Sequence, residues 1–140
     1  MDIKSIAGFA VISGDSEASS KLYRQMLGLP LTQQGDYLFL DRFPGANHFG
    51  VWPLKMAAES CFGRSEWPDD VPVPSVTIEF ELSDIPAVEA AVREMKDAGQ
   101  PFVHEARMEP WGQTLARFIS PEGVLVGLSY APWLHGATTE

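Results

Sequence analysis

The chain has 140 residues, a formal net charge of −9 and a hydrophobic fraction of 45%, which suits one globular domain with an ordinary core. An acidic chain repels phosphate backbones, so nucleic acid is not an expected partner, and no apolar run approaches the roughly 20 residues that a membrane span needs. One cysteine, Cys61, excludes an internal disulfide framework, and the N-terminus lacks a basic segment followed by an apolar one, so we expect a cytoplasmic protein without a membrane partner.

The first half of the chain predicts a strand, a helix and three further strands. An apolar run over residues 6–13 is strand-like and is broken at Gly14. Asp15 can cap a following helix, because its carboxylate accepts from the free N–H groups of a first turn, and Gly28 can end that helix. Apolar residues recur between them at helical spacing: Ala18, Leu22 and Met26. Three extended stretches separated by glycine-containing turns follow: 31–34, 37–43 and 48–53.

The second half repeats this order. Residues 76–82 alternate apolar and polar, which is the pattern of a half-buried strand. Ser83 or Asp84 caps a helix that ends at Gly99, and extended stretches follow at 102–107, 113–119 and 124–130. Asp15 and Asp84 lie 69 residues apart in matching roles. The sequence therefore predicts a tandem βαβββ repeat, with one module over about 5–54, a second over about 75–133, and a Pro-, Asp-, Glu- and Ser-rich linker over 55–74.

Three segments carry a resemblance to a known family. Residues 22–29, LYRQMLGL, resemble its F-Y-x-x-x-L-G-L helix end; residues 109–112, EPWG, resemble its P-W-G turn; and residues 120–124, SPEGV, resemble its D-P-x-G-N turn with Ser and Val as departures. The chain thus resembles the vicinal-oxygen-chelate superfamily of glyoxalases, bleomycin-resistance proteins and dioxygenases, and in particular its bleomycin-resistance-like members. The resemblance implies an α+β fold of two tandem βαβββ modules, whose strands form a curved mixed sheet or cup, and a homodimer.

Metal-using members of this superfamily carry His, Glu or Gln ligands on the first and fourth strands of each module. On this sequence those four positions are Gly8, Gly50, Thr77 and Gly127. Glycine has no side chain and threonine is a poor neutral ligand, whereas divalent metals need imidazole, thiolate or carboxylate donors. We therefore expect neither a metal nor another cofactor. The glycines themselves have two interpretations, which are bulges or close backbone packing, or an open cup floor that admits a ligand.

Strand alternation places further candidate ligand-binding residues on the cup face beside those four positions. They are His48, Trp52, Glu79 and Glu81, together with Trp111 in a turn. His48 and Glu79 are also the candidate catalytic residues. Plainer interpretations stay open: the two glutamates can lie on a solvated strand face, His48 can be exposed near a turn, and Trp111 can pack under its own turn. A displaced metal site formed by His48, Glu79 and Glu81 is a further alternative.

Two small-molecule functions are compatible with these residues, and a purely structural or regulatory interaction module stays open beside them. The first is a small-molecule binding protein that sequesters an aromatic or cationic drug or metabolite without a metal, as in antibiotic resistance, because indole rings offer stacking area and carboxylates attract a positive group. The alternative is a metal-dependent or acid–base enzyme of lyase, isomerase or dioxygenase type with a relocated site at His48 and Glu79. Cys61 lies in a linker predicted to be flexible and acidic, where no basic group lowers its pKa, so it is not an expected nucleophile.

Overall fold

The computed structural model describes residues 1–136 and contains one eight-stranded sheet. The strands are β1 (Ser5–Ser13), β2 (Thr32–Gln34), β3 (Tyr37–Phe43), β4 (Ala46–Pro53), β5 (Val76–Glu81), β6 (His104–Met108), β7 (Thr114–Ile119) and β8 (Leu125–Tyr130). The helices are α1 (Ser16–Ser20), a π-helical segment (Lys21–Met26), α2 (Leu54–Phe62), α3 (Ile85–Asp97) and a 3-10 turn (Pro132–Leu134). The predicted α+β fold with a curved mixed sheet is confirmed. None of the helices in this part of the chain has the length and apolar character to cross a membrane.

The order of the strands shows how the two halves combine. The sheet runs β2-β3-β4-β1-β5-β8-β7-β6, so each half supplies four neighbouring strands. The pairs β1–β4 and β5–β8 are parallel. The halves join through antiparallel pairing of β1 with β5, in which Phe9 lies opposite Ile78. The two halves therefore form one continuous sheet within a single chain.

Both predicted helix caps are present. The Asp15 carboxylate accepts from the Ala18 N–H at 3.0 Å, and the Asp84 carboxylate accepts from the Ala87 N–H at 2.8 Å. Each bond satisfies one of the backbone donors that a first helical turn leaves free. Helix α3 then buries an apolar stripe against its own half of the sheet; the buried residues of this cluster are Leu82, Val88, Ala91, Val92, Ala116 and Leu128.

The first helix differs from the prediction, because it is not a continuous α-helix. After the five residues of α1 the backbone changes to π-helical winding, in which the Leu27 N–H donates to the Leu22 carbonyl, five residues back. A π-turn holds more residues than an α-turn, so residues three and four apart no longer follow one face. Leu22 and Met26 are accordingly exposed, while Tyr23 packs against the cluster of Leu31, Leu38 and Val51.

The predicted linker contains an unpredicted helix. Helix α2 begins directly after β4 and ends at Gly63, whose φ of +75° suits a left-handed C-terminal position. Its inner side is packed tightly, with Ala58 fully buried and Cys61 only 3% exposed, against Trp52 and other residues of the concave sheet face. Cys61 is therefore not in a flexible segment. Helix α2 covers one end of the concave face.

Candidate functional site

A cavity of about 590 Å³ occupies the rest of the concave face, and this volume is within the range of small-molecule sites. Its walls come from both halves of the chain. The aromatic residues that line it are Phe9, Tyr37, Phe39, Trp52, Trp111 and Trp133, and the polar ones are Gln34, Asp41, His48, Thr77, Glu79, Gln113 and Arg117. Trp111 and Trp133 are about half exposed and lie at the end remote from α2. Helix α2 therefore closes one end of the cavity, and two partly exposed indole rings stand at the other.

The charged groups of the cavity lie in one row of residues across the sheet. Asp41 pairs with His48, Glu79 pairs with both Gly8 and Gly127, and Arg117 pairs with Gly127. In sheet order the row reads Asp41, His48, Gly8, Glu79, Gly127, Arg117 and His104. Residues in register on neighbouring strands point to the same face. The row therefore brings two carboxylates, two imidazoles and a guanidinium to the concave face.

The glycines of the concave face do not leave an open floor. Neighbouring side chains fill the space above them: His48 over Gly8, Tyr37 over Gly50, and Glu79 with Leu115 over Gly127. A Cβ atom at Gly8 would lie 2.7 Å from the His48 Cβ, and one at Gly127 would lie 3.1 Å from the Glu79 Cγ. The open-floor interpretation is therefore wrong. These positions are glycine because other side chains cross them closely.

His48 stands between two partners. Its Nδ1 lies 2.7 Å from the Asp41 Oδ1, and its Nε2 lies 2.5 Å from the Tyr37 hydroxyl. A carboxylate only accepts, so Nδ1 donates to Asp41, and in neutral imidazole Nε2 then accepts from Tyr37. Burial raises the pKa of Tyr37 well above its ordinary value, and the charges of Glu79 and Asp41 raise it further. The phenol therefore stays protonated, and its oxygen keeps a lone pair with which it can accept from a ligand.

Glu79 and Trp111 are connected through Gln113. The Gln113 Nε2 donates to the Glu79 carboxylate at 2.9 Å and to the Ser129 hydroxyl at 2.8 Å, and the Trp111 Nε1 donates to the Gln113 Oε1 at 2.7 Å. Glu79 has no cationic partner within residues 1–136. The site thus holds an unpaired carboxylate, fixed by an amide, beside an indole that the same amide orients.

Glu81 does not belong to the cavity lining. It is 1% exposed, and its carboxylate accepts from the Ser129 hydroxyl, the Ala131 N–H and His135, at 2.7, 2.6 and 2.7 Å. All of these partners lie at the end of β8 or just after it. Glu81 therefore fastens the C-terminal segment to the sheet. It neither faces the cavity nor lies on a solvated strand face, which were the two interpretations of the sequence.

Arg117 is the fully buried charge of the site. Its Nη1 donates to the Glu109 carboxylate and to His104 Nε2, both at 3.0 Å, and its Cζ lies 5.5 Å from the Trp52 ring centroid. Burial lowers the pKa of His104 to about 4, and the positive charges of Arg117 and Arg107 add to this effect. At neutral pH His104 is therefore an uncharged acceptor that holds one corner of the guanidinium.

The residues at the four metal-ligand positions do not fit a metal ion. Gly8, Gly50 and Gly127 supply no donor, and the Thr77 hydroxyl is buried and donates to the Leu125 carbonyl at 2.9 Å. Within residues 1–136 no three His, Cys, Asp or Glu side chains are grouped so that they could hold a metal ion. The displaced site considered from the sequence is not formed either, because His48, Glu79 and Glu81 have separate sets of partners.

The structure brings together most of the predicted site residues. Gly8, His48, Trp52, Thr77, Glu79 and Trp111 line the cavity, whereas Gly50 lies beneath Tyr37, Gly127 beneath Glu79, and Glu81 outside. Sequence reasoning missed Tyr37, Asp41, Gln113 and Arg117. Strand alternation could have found three of them. Tyr37 and Asp41 lie four residues apart on β3 and therefore on the same face of the strand. Arg117 interrupts an otherwise apolar face of β7.

A comparison with protein families matches residues 5–128 to the model of the Glyoxalase/Bleomycin resistance protein/Dioxygenase superfamily. The chain belongs to this superfamily. The match runs from the start of β1 into β8, so membership of the superfamily, which three short segments indicated, is confirmed. No curated protein matches the chain significantly.

Solved structures of low sequence identity share the superfamily fold. One is described as NAD-dependent benzaldehyde dehydrogenase from Legionella pneumophila, with a TM-score of 0.60 and 10% identity over 87% of this chain and 96% of that one. A superfamily member from Vibrio splendidus 12B01 has a TM-score of 0.57 and 14% identity over 93% and 100%. A variant of Streptomyces coelicolor methylmalonyl-CoA epimerase, in complex with 2-nitronate-propionyl-CoA, has a TM-score of 0.54 and 16% identity over 94% and 96%. At these identities the similarity shows the fold alone.

Proposed function

We propose that the chain is a small-molecule binding protein of the bleomycin-resistance-like type, which holds an aromatic, positively charged drug or metabolite in the cavity without a metal. The observation that carries this proposal is the unpaired Glu79 carboxylate in a cavity lined by aromatic rings. A carboxylate without a cationic partner attracts a positive ligand group more strongly there than in water. Trp52 and Trp111 offer flat surfaces for the planar part of the ligand.

The same residues support binding at this site by their fixed positions. Gln113 donates to Glu79 and accepts from Trp111, so the carboxylate and one indole are oriented before a ligand arrives. Ordering of these groups is then not required at the moment of binding, which favours affinity. We place the protein in the cytoplasm, in keeping with its unpaired Cys61 thiol.

A thermal-shift screen with matched probe pairs tests the proposal. The probes are aromatic amines and the corresponding neutral alcohols, for example 2-naphthylmethylamine and 2-naphthylmethanol. A ligand at 100 times its dissociation constant stabilises a protein by about 2.7 kcal/mol, which a melting curve resolves. We expect amines to raise the melting temperature more than the alcohols do.

Variants at two glutamates decide which charge is responsible. Glu79→Gln keeps the acceptor for Gln113 but removes the charge, so it should weaken amine binding by about 1–3 kcal/mol and leave alcohol binding nearly unchanged. Glu122→Gln makes the same charge change in an exposed turn and serves as the control. Equal amine affinity in Glu79→Gln and in the unaltered protein would contradict the proposal, as would a screen in which no probe binds.

Proton-transfer catalysis is the second candidate function, and the Asp41–His48–Tyr37 chain favours it. Asp41 fixes the imidazole tautomer, while His48 and Glu79 can both exchange protons at the same cavity. Incubation of bound carbonyl compounds in deuterium oxide tests it. Deuterium appearing next to the carbonyl group, and lost in His48→Gln, would favour an enzyme over a binding protein.

A further inference from the structure

Two donors of the cavity wall have no partner. Among the buried side-chain nitrogen and oxygen atoms of residues 1–136, only Nε and Nη2 of Arg117 lack a hydrogen-bond partner. Buried polar groups are nearly always paired in folded proteins, so each exception requires an explanation. The Cys61 thiol is near enough to this guanidinium for a weak hydrogen bond, but sulfur is a weak acceptor and does not replace an oxygen.

The two unused atoms lie on one edge of the guanidinium. The third corner, Nη1, is held by His104 and Glu109, which belong to β6 and the turn after it. The Nε–Nη2 edge is opposite Nη1, so it faces away from β6. Nε–H and one N–H of Nη2 are parallel on this edge, which is the arrangement that binds both oxygens of one carboxylate.

The charge balance around Arg117 also favours an anion. Two guanidinium groups, Arg117 and Arg107, share the single carboxylate of Glu109. His104 is uncharged at neutral pH and adds nothing to this sum. One positive charge is therefore shared between Arg107 and Arg117, and of these two only Arg117 lines the cavity.

We propose that the Nε–Nη2 edge of Arg117 is a carboxylate-binding subsite at the inner end of the cavity, so that the ligand is an aromatic compound bearing a carboxylate group. The subsite refines the proposed function and rests on the same cavity. A ligand that also carries a positive group can reach Glu79, because Glu79 and Arg117 both pair with Gly127 and two strand spacings amount to about 10 Å. Zwitterionic aromatic compounds are the class that fits both groups.

Binding at this edge requires movement of the side chains in front of it. Arg117 is 0% exposed, and both Trp52 and Met56 line the cavity near α2. The Trp52 ring and the Cys61 thiol lie beside the guanidinium, so their displacement would uncover its free edge. The Trp52 ring faces Arg117 at 5.5 Å, so an anion on the edge should change the fluorescence of this indole.

Matched acids and amides test the subsite in the full-length protein. The probes are 2-naphthoate with 2-naphthamide, indole-3-acetate with indole-3-acetamide, and the zwitterion 4-(aminomethyl)benzoate with its amide. We expect the acid of at least one pair to bind at least tenfold more tightly than its amide, and to shift one arginine Nε–H resonance in a proton–nitrogen correlation spectrum. No preference for the acid in any pair would overturn the proposal.

Substitutions identify the arginine responsible. Arg117→Lys keeps the positive charge but removes the two-pronged edge, so the preference for the acid should fall at least tenfold and the shifted Nε–H resonance should vanish. Arg107→Lys is the matched control, because Arg107 also binds Glu109 but does not line the cavity. If Arg117→Lys fails to fold, the resonance in the unaltered protein still decides, since a shift assigned to any other arginine would overturn the subsite.

Failure of the subsite can be distinguished from failure of the proposed function. If aromatic amines bind through Glu79 while no acid is preferred over its amide, the subsite is wrong and the binding function stands. If acids bind through Arg117 and amines do not bind, the subsite stands and the preference for a cation is wrong. If neither series binds, both are wrong.

Discussion

Glu79 and Arg117 lie opposite the same residue, Gly127, from the strands on either side of it. The carboxylate and the guanidinium are therefore neighbours across a position that has no side chain, yet they form no salt bridge within residues 1–136. The Glu79 side chain lies over Gly127, whereas Arg117 is held towards β6 by Glu109. Two opposite charges are thus kept apart on one cavity wall, which is an arrangement suited to a ligand placed between them.

Gly127→Leu should disturb both charges. A Cβ atom at this position meets the Glu79 Cγ and the Leu115 Cδ2, each at 3.1 Å, and a larger side chain must displace them. Overpacking of this kind costs about 1–3 kcal/mol, and displacement of Glu79 should weaken amine probes. Urea denaturation and thermal-shift titration measure the two effects. Gly14→Leu is the control, because a Cβ there meets nothing within 4 Å, and unchanged amine binding in Gly127→Leu would refute this account.

Gly50→Ala should break the Tyr37–His48 hydrogen bond. A methyl group at Gly50 would overlap the Tyr37 hydroxyl, so the phenol ring must move away from His48. We expect a loss of about 1–3 kcal/mol in the free energy of unfolding, and a change in the His48 imidazole resonances. Gly14→Ala, in open space, should have little effect. The prediction fails if the His48 resonances of Gly50→Ala match those of the unaltered protein.

His104 should make the protein less stable in acid. Its pKa is about 4 in the fold and 6.5 in the unfolded chain, so the unfolded state binds more protons between these values. Stability from this residue is complete above pH 6.5 and is lost as the pH falls towards 4, where the loss levels off. His104→Gln should remove up to about one proton from the difference between the protons bound by the unfolded and the folded state, and should therefore reduce the pH slope of the unfolding free energy in this window. An unaltered slope would show that His104 titrates normally.

We propose that the chain forms a homodimer through apolar residues around the π-helical segment. Leu22, Met26 and Leu27 are 43, 70 and 60% exposed, and exposed apolar groups of this kind often mark an interface. Two-fold dimers are the commonest oligomers. Light scattering should give twice the chain mass of 15.4 kDa, and Met26→Asp should lower it. Val73→Asp, at another exposed apolar residue, is the control, and a monomer mass at micromolar concentration would contradict the dimer.

The repeated architecture could be predicted from the sequence because its signals are local. Asp15 and Asp84 each satisfy an N–H group within three residues, and alternation along a strand needs only residues two apart. Helix α2 was missed because it is short and the surrounding Pro, Asp and Ser residues dominate the composition of 55–74. Its stability comes from burial of Ala58 and Cys61 against distant strands, and such tertiary packing leaves a weak local pattern.

The site could be predicted only in part, for a related reason. Alternation placed His48 and Glu79 on the concave face, but the contacts of a side chain depend on its rotamer and on strands far away in sequence. Glu81 alternates in phase with Glu79, yet its carboxylate is taken up by the segment after β8. Arg117 acquires its role from Glu109, His104 and Trp52 together, and no single-strand pattern reports such a combination.

Helix α2 gives the two halves of the molecule different surroundings, although their strands repeat. In residues 1–136 the second module has only the short 3-10 turn Pro132–Leu134 in the equivalent place after β8, and Trp111 and Trp133 stand partly exposed at that end of the concave face. A ligand in the proposed site would therefore meet α2 at one end and lie between the two indoles at the other. A compound longer than the cavity, or one attached to a larger carrier, could then bind with one end in the cavity while the remainder stays in water.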